Sequence, residues 1–216
     1  MTFQGWPPEA LEFYEGLEAD NSKAYWTAQR DIYEQSVRAP MEALAAACAD
    51  LGPFKLFRYR DVRFSRDKTP YKTAIGAVTE REGGAVLYVQ LSADGLFAAA
   101  GYHHMASDQV ERYREAVASE AGAELQPVLA ALEQGGYDVG GEELKVTPRG
   151  YPRDHPRARL LRHKGLTMGK LFPPARWLHT KAALDRVRKV WADARPLSAW
   201  LEHHVGPSAL PPEVRR

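Results

Sequence analysis

The chain has 216 residues, of which 44% are hydrophobic and 26% are charged, a composition typical of a globular protein with one sizeable core. Its formal net charge of +1 argues against a general nucleic-acid coat, which is normally basic over the whole domain. The N-terminus has no basic stretch followed by an apolar run, and no run of about 18 apolar residues occurs. We therefore expect a cytoplasmic protein without a membrane segment.

The first fifty residues carry two helical patterns. Prolines and an acid at residues 7–9 are typical of a helix start, and the polar residues at 20–22 end that helix. Asn21 or Ser22 then caps a longer helix, which reaches Gly52. Because Pro40 lies inside this second pattern and has no backbone N–H, we expect it to kink the helix or split it in two.

The middle of the chain changes to β-type patterns. Turn residues separate four runs, and this arrangement predicts an antiparallel meander. The runs are Phe54–Tyr59, Lys72–Thr79, Val86–Leu91 and Leu96–Tyr102. The last run is almost free of bulky side chains, so we expect a helix to pack closely against it, with a ligand as the alternative.

The second half of the chain is mostly helical in pattern. Ser107 or Asp108, with Glu111 completing a capping box, predicts a helix, and further helical packing extends to Gly135. Two short extended pieces, Tyr137–Val139 and Leu144–Val146, precede a loop and a brief helix after Pro156. Later helices follow a cap at Thr180 and a break at Pro196.

These elements predict an α+β fold with a central antiparallel sheet flanked by helices. We expect residues 1–205 to form a single domain and the Pro-rich tail, 206–216, to fray.

The charges are strongly segregated along the chain. Residues 55–72 hold seven Lys and Arg against two Asp, a net charge of +5, and residues 145–170 hold eight against one, a net charge of +7. The first fifty residues and residues 106–143 carry compensating charges of −6 (three basic, nine acidic) and −7 (two basic, nine acidic). A mixed surface would serve solubility better, so this pattern favours a site for an anion.

In the first basic stretch, turn chemistry restricts a loop that carries many cations. Ser65 and Asp67 can bond backbone amides, and Pro70 pushes Thr69 to an extended conformation. A stiff basic loop is a preorganised anion site, and Tyr71 could shape its pocket. The candidate ligand-binding residues here are Arg58, Arg60, Arg63, Lys68, Tyr71 and Lys72. A solvated hairpin whose arginines pair with acidic helices is the alternative.

The second basic stretch has the same makeup around Gly150. Arg149 and Arg153 could grip a phosphate or carboxylate bidentately, while Tyr151 could stack on a ring or donate a hydrogen bond. We expect the arginines that follow to form the solvated face of a helix. They are Arg157, Arg159 and Arg162.

Histidines near these stretches provide a candidate general acid or base at neutral pH, with His103 and His155 as the candidates and His104 and His163 as their neighbours. No recognised metal-ligand spacing occurs, so we expect neither a metal nor another cofactor. The P-loop, the dinucleotide-binding glycine motif and the G-x-S-x-G elbow are absent. These absences disfavour nucleotide triphosphatases, Rossmann dehydrogenases and α/β-hydrolases.

Two long signatures give the chain a family resemblance. They are R-D-V-R-F-S-R-D-K-T-P-Y-K at Arg60–Lys72 and L-K-V-T-P-R-G-Y-P-R-D-H-P at Leu144–Pro156. In this order they resemble a bacterial and fungal family of uncharacterised proteins, domain of unknown function 2461, over about residues 3–204. The resemblance implies that the signature residues are hallmarks of the family, and it implies no activity.

Our hypothesis is that the two basic loops meet and bind a phosphate- or carboxylate-bearing small molecule. An enzyme with this site would carry out metal-free hydrolysis or transfer, with a histidine as acid or base. One alternative is a nucleic-acid-binding module, which predicts a flat basic face and steep salt dependence. The other is a structural domain in which the cations pair internally.

Overall fold

The strands come from the middle and the late part of the chain. The structure, a computed structural model, describes residues 2–57, 69–79 and 84–211. Its strands are β1 (Phe54–Phe57), β2 (Ala74–Thr79), β3 (Ala85–Ser92), β4 (Gly95–Tyr102), β5 (Asp138–Gly140) and β6 (Leu166–Phe172). Within the described residues they form one sheet in the order β1-β2-β3-β4-β6-β5, in which β1–β2, β2–β3 and β5–β6 pair antiparallel.

Helices precede and follow the meander. They are α1 (Glu9–Ala19), α2 (Lys23–Ala28), α3 (Arg30–Ile32), α4 (Ala39–Ala47), α5 (Ser107–Ala118), α6 (Glu120–Gln134), α7 (Ala158–Leu161), α8 (Ala182–Asp193) and α9 (Arg195–His204). Two predicted caps are confirmed, because Ser22 Oγ accepts from the N–H of Tyr25 and Thr180 Oγ accepts from the N–H of Ala182. The α+β class is confirmed.

Pro40 changes the helix type in its neighbourhood. A π-helical segment, Tyr33–Arg38, lies directly before α4, and the N–H of Ala39 donates to the carbonyl of Glu34, five residues back. Pro40 has no N–H for the usual helical hydrogen bond, and the wider turn accommodates this loss. The predicted split in two does not occur at Pro40, because helical residues continue from Arg30 to Ala47, and the predicted kink stays a prediction.

In the second half, one predicted strand is wrong and one observed strand was not predicted. Leu144–Val146 is not a strand, and this stretch contributes only an isolated bridge from the neighbouring Glu143 to His163. The sequence patterns missed β6 altogether. Its alternation is short and is interrupted by Gly169, and its strand character depends on pairing with β5.

The chain folds into two compact units. The first comprises the described residues of Met1–Thr79, Tyr88–Ala98 and Leu171–Lys189, and the second those of Glu80–Leu87, Ala99–Lys170 and Val190–Arg216. Each has buried apolar residues of its own. Examples are Trp6, Leu17, Met41, Leu44 and Leu91 in the first unit, and Tyr102, Tyr113, Leu125, Leu161 and Trp191 in the second. The predicted single domain over 1–205 stays a prediction.

A helix covers the small-residue end of β4, as predicted. In the second unit, Trp191 of α8 donates its indole N–H to the carbonyl of Ala99 at 3.1 Å. Gly101 has φ of +127°, and a Cβ there would lie 2.4 Å from the carbonyl oxygen of Leu166. The lack of bulk in this strand therefore permits close packing by helix and backbone.

Side chains of α5 bond the described part of the tail. Ser208 Oγ and the N–H of Ala209 both donate to the Asp108 carboxylate, at 2.7 and 2.8 Å. Arg112 donates to the carbonyls of Val205 and Pro207. Side chains of α5 therefore bond residues 207–209, and the expectation that the tail frays stays a prediction.

Candidate functional site

A cleft with a volume of about 840 Å³ opens in the second unit beside the first half of α5. We term it the α5 cleft. The titratable residues of its lining are His104, Glu111, Arg114, Glu115, Arg149, Tyr151 and Lys164. The volume lies within the range of small-molecule sites.

Backbone hydrogen bonds hold the base of the α5 cleft. After β4 ends, the N–H of Met105 donates to the carbonyl of Lys164 at 2.9 Å, and the N–H of Lys164 donates to the carbonyl of Glu142 at 2.7 Å. A Cβ on Gly165 would lie 2.3 Å from the carbonyl oxygen of His103, so a side chain does not fit at this crossing. His104 and Lys164 therefore project from segments that are tied to each other.

Helix α5 forms one wall of the cleft. Glu111, Arg114 and Glu115 lie three and four residues apart along one face. Arg114 is anchored, because its Nε donates to the carbonyl of Leu161 at 3.1 Å. The helix therefore presents two carboxylates to the cleft beside an arginine that is already bonded.

The predicted cap of α5 is wrong in detail. The N-cap residue is Ala106, which has no side chain able to accept a hydrogen bond. Instead, Gln109 Oε1 accepts from the N–H of Ala106 at 3.0 Å. The helix begins at Ser107, and the exposed Ser107 lines the cleft.

The second basic loop supplies another wall of the cleft with Arg149, Gly150 and Tyr151. Gly150 has φ of +90°, which favours glycine, and the N–H of Tyr151 approaches the carbonyl of Pro148 at 3.4 Å. Burial, followed by the negative charge of Glu115, raises the pKa of Tyr151 above its ordinary value. Its hydroxyl therefore stays protonated at neutral pH and can donate a hydrogen bond.

Several other cations of this stretch are occupied. The guanidinium of Arg157 donates to the carbonyls of Val117, Ala118 and Ser119 at the end of α5. Arg159 and Arg162 pair with Glu143 at 3.6 and 3.2 Å, and Lys164 Nζ donates to Glu142 at 2.6 Å. Arg159 keeps 69% of its side chain exposed, as expected for a solvated helix face, whereas Arg157 and Arg162 are only partly exposed and both have partners.

Arg149 differs from these residues. It is exposed, and within the described part of the chain it forms no hydrogen bond and no ion pair. Arg153 is also exposed and has no such partner there, but it does not line the cleft. Of the two arginines predicted as anion ligands in this loop, the structure places only Arg149 in the cleft.

The histidines have different surroundings. His104 lines the cleft, whereas the candidates His103 and His155 do not. The ring Nδ1 of His155 accepts a hydrogen bond from the N–H of Arg157 at 3.0 Å, within its own loop. His103 is exposed.

His163 is buried, with 2% of its surface exposed. Its Nε2 lies 3.5 Å from a Glu143 carboxylate oxygen, and its Nδ1 has no hydrogen-bond partner among the described residues. Burial lowers the pKa of this imidazole, and the Glu143 charge opposes the effect. His163 therefore belongs to a cluster beside the cleft rather than to its lining.

The first basic loop lies mostly outside the described residues, including the candidates Arg58, Arg60, Arg63 and Lys68. The remaining candidates, Tyr71 and Lys72, belong to the first unit. Their surroundings there are aromatic. That the two loops share one pocket stays a prediction.

Tyr71 is held by neighbours in the first unit. The Asn21 side chain bonds both the N–H and the carbonyl of Tyr71, at 2.9 and 3.0 Å. The ring of Tyr71 stacks on that of Trp26, with centroids 4.6 Å apart and planes at 7°. Lys72 Nζ lies 6.0 Å from the centroid of the Phe57 ring.

Sequence reasoning missed Arg114, Glu115 and Lys164 as lining residues, and it gave Glu111 a capping role only. The sequence did contain one signal for the helical residues, because the spacing of Glu111, Arg114 and Glu115 places their side chains on one face of a helix. Lys164 carried no such signal, because its position depends on backbone pairing between distant segments.

Within residues 2–57, 69–79 and 84–211, no three His, Cys, Asp or Glu residues form a group that could hold a metal ion. The same residues include no helix with the length and apolar character needed to cross a membrane.

Comparison with known proteins identifies the family. No curated protein matches the chain. A family model described as "Conserved hypothetical protein (DUF2461)" matches residues 9–200, which include both sequence signatures and every lining residue of the α5 cleft. The chain therefore belongs to the DUF2461 family.

Proposed function

We propose that the α5 cleft binds a small molecule carrying a phosphate or a carboxylate, and that Arg149 grips the anion. One observation carries the proposal. Arg149 lines the cleft without a hydrogen bond or ion pair to any described residue, whereas Arg157, Arg159 and Arg162 of the same stretch are all bonded. An arginine left in this state is available for bidentate contact with an oxyanion.

The surroundings of Arg149 support this role. Tyr151 can donate its hydroxyl to the same anion, and Lys164 adds a positive charge, although Glu142 already binds its ammonium. The imidazole of His104 also lines the cleft and would be available for proton transfer to a bound ligand.

The lining also bears on the nucleic-acid alternative. That alternative predicts an open face dominated by cations, because a phosphate backbone is a row of negative charges. Glu111 and Glu115 of the helical wall of the α5 cleft would repel such a backbone. These features favour a compact ligand.

A thermal-shift experiment tests the proposal. A panel of phosphorylated metabolites and small carboxylates should contain a compound that stabilises the protein, since a ligand at a hundred times its Kd adds about 2.7 kcal/mol. Arg149→Gln should weaken binding of that compound by about tenfold or more, because a hydrogen bond to a charged group contributes about 1.5–3 kcal/mol.

The matched control is Arg153→Gln, which removes an exposed arginine of the same loop outside the cleft and should leave affinity unchanged. Equal binding by Arg149→Gln and the wild type would contradict the proposal. A duplex oligonucleotide in the panel separates the alternatives. Binding that weakens steeply with salt, by about 0.9 logarithmic units per phosphate contact for each tenfold rise in salt, would favour the nucleic-acid module.

A further inference from the structure

The charges that line the α5 cleft are of both signs and are kept apart. Glu111 and Glu115 are exposed on the helical wall, and Arg149 is exposed on the loop wall. Within the described residues, neither glutamate forms a hydrogen bond or an ion pair. Unpaired groups of opposite sign therefore line one cleft, each still in contact with solvent.

The arginine nearest to the glutamates in the sequence does not neutralise them. Arg114 lies between them on α5, but its Nε is directed to the carbonyl of Leu161. No ion pair joins Arg114 to either glutamate among the described residues. Both carboxylates are thus left without an ion-pair partner among the described residues.

Tyr151 lines the same cleft as the two glutamates and Arg149. Its loop carries Arg149 two residues away, and the negative charges of Glu115 and Glu111 contribute to the raised pKa of its hydroxyl. A ligand gripped by Arg149 and lying along Tyr151 would present its other end to the glutamates. A bare anion would meet repulsion there, whereas a hydroxyl or ammonium group would find acceptors.

We propose that the ligand is a small molecule with an anion at one end and hydrogen-bond donors, hydroxyl or ammonium, at the other. This inference rests on the proposed function and adds the chemistry of the second end. Polyol phosphates have this chemistry, and so do amino acids, whose anion is the carboxylate. Arg149 grips the phosphate or carboxylate, and Glu111 and Glu115 accept hydrogen bonds from the donors.

Matched pairs of probes in isothermal titration calorimetry test the inference. The pairs are methyl phosphate with glycerol 3-phosphate, and butyrate with 4-aminobutyrate. In each pair the anion is alike and only the second probe carries donors. The wild type should bind the donor-bearing member of at least one pair about tenfold more tightly, as expected for charge-assisted hydrogen bonds. The pair that shows the preference distinguishes polyol phosphates from amino acids.

The double variant E111A/E115A removes both carboxylates from an exposed helix face, where alanine preserves helicity. It should bring the two members of the preferred pair to within about threefold of each other while the donor-free probe binds as before or more tightly. Glu124→Ala, at an exposed position of α6 outside the cleft, is the control and should retain the wild-type preference.

These measurements distinguish failure of the inference about the second end from failure of the proposed anion site. If Arg149→Gln weakens every probe but E111A/E115A keeps the preference, the anion site stands and the inference about the second end is wrong. If the wild type binds both members of each pair equally, the inference is wrong in the same way. If Arg149→Gln binds methyl phosphate and butyrate as well as the wild type does, or if no probe binds, the proposed function fails as well.

Discussion

His163 combines deep burial with a ring nitrogen that has no partner among the described residues. Replacing water around an imidazole by protein disfavours its charged form, and the pKa of His163 is accordingly lowered from its ordinary value of 6.5. The nearby Glu143 carboxylate opposes this effect but is shared with Arg159 and Arg162. The residue is therefore neutral in the folded protein at neutral pH.

This burial predicts a pH dependence of stability. The unfolded chain takes up a proton at His163 more readily than the folded protein, so stability should fall as the pH drops below 6.5. The loss should level off once the pH passes the lowered pKa of the folded state. His163→Leu should remove this part of the dependence, as measured by urea unfolding at a series of pH values. Parallel pH profiles for the variant and the wild type would contradict the prediction.

At the scale of elements, the Asp108 carboxylate is one of several α5 groups that bond the tail, beside the side chains of Gln109 and Arg112. Burial disfavours the charged form of Asp108, but hydrogen bonds from Ser208, Ala209 and Arg112 outweigh this and lower its pKa to about 2. Asp108 lies in the first turn of α5, and its neighbours Ser107, Val110 and Glu111 line the cleft. The tail thereby secures the beginning of that wall.

Asp108→Asn should weaken this contact at neutral pH, costing about 1 kcal/mol of unfolding free energy and increasing amide hydrogen exchange at Ala209. Because the pKa is lowered on folding, the stabilisation exists above the ordinary value of 3.8 and is lost as the pH falls toward 2. The variant and the wild type should therefore converge in stability over that interval. Asp154→Asn, at an exposed loop residue, is the control, and a constant difference between Asp108→Asn and wild type down to pH 2 would argue against the role of the carboxylate.

At the scale of the whole molecule, the cations of the second basic stretch fall into two groups, those with partners in the structure and those without. Arg157 satisfies carbonyl groups at the end of α5, and Arg159, Arg162 and Lys164 bind glutamates of the same unit. These contacts are internal ion pairs and hydrogen bonds of the kind that the structural alternative predicts. Arg149 and Arg153 take no part in it, so pairing accounts for only some of the local charge.

A pair of substitutions compares an arginine that has partners in the structure with one that has none. Arg157→Met should lower the unfolding free energy by about 2 kcal/mol, because carbonyls at the C-terminus of α5 lose a charged donor. Arg153→Met should change it by less than about 0.5 kcal/mol, since an exposed side chain without partners contributes little. Urea unfolding measures both. Equal losses in the two variants would mean that the cations act through general charge rather than through particular contacts.

Local signals in the sequence were sufficient for most elements. Ser22 and Thr180 cap the helices that their chemistry predicts, and the turn at Asp94-Gly95 joins β3 to β4. These features depend on the preferences of a few adjacent residues. Strand β6 and the bridge between Glu143 and His163 had no comparable signal, because a short strand is stabilised by its partner.

For the candidate site, the sequence by itself determined that Arg149 and Tyr151 lie on a turn restricted by proline and glycine, since composition and backbone preference are local properties. Only the tertiary structure decided which charges remain without partners. Arg157 and Arg149 have the same side chain and the same neighbourhood in the sequence, but only Arg157 meets the end of α5. Hydrogen bonding and burial depend on distances between segments far apart in the chain, and these distances exist only once the chain has folded.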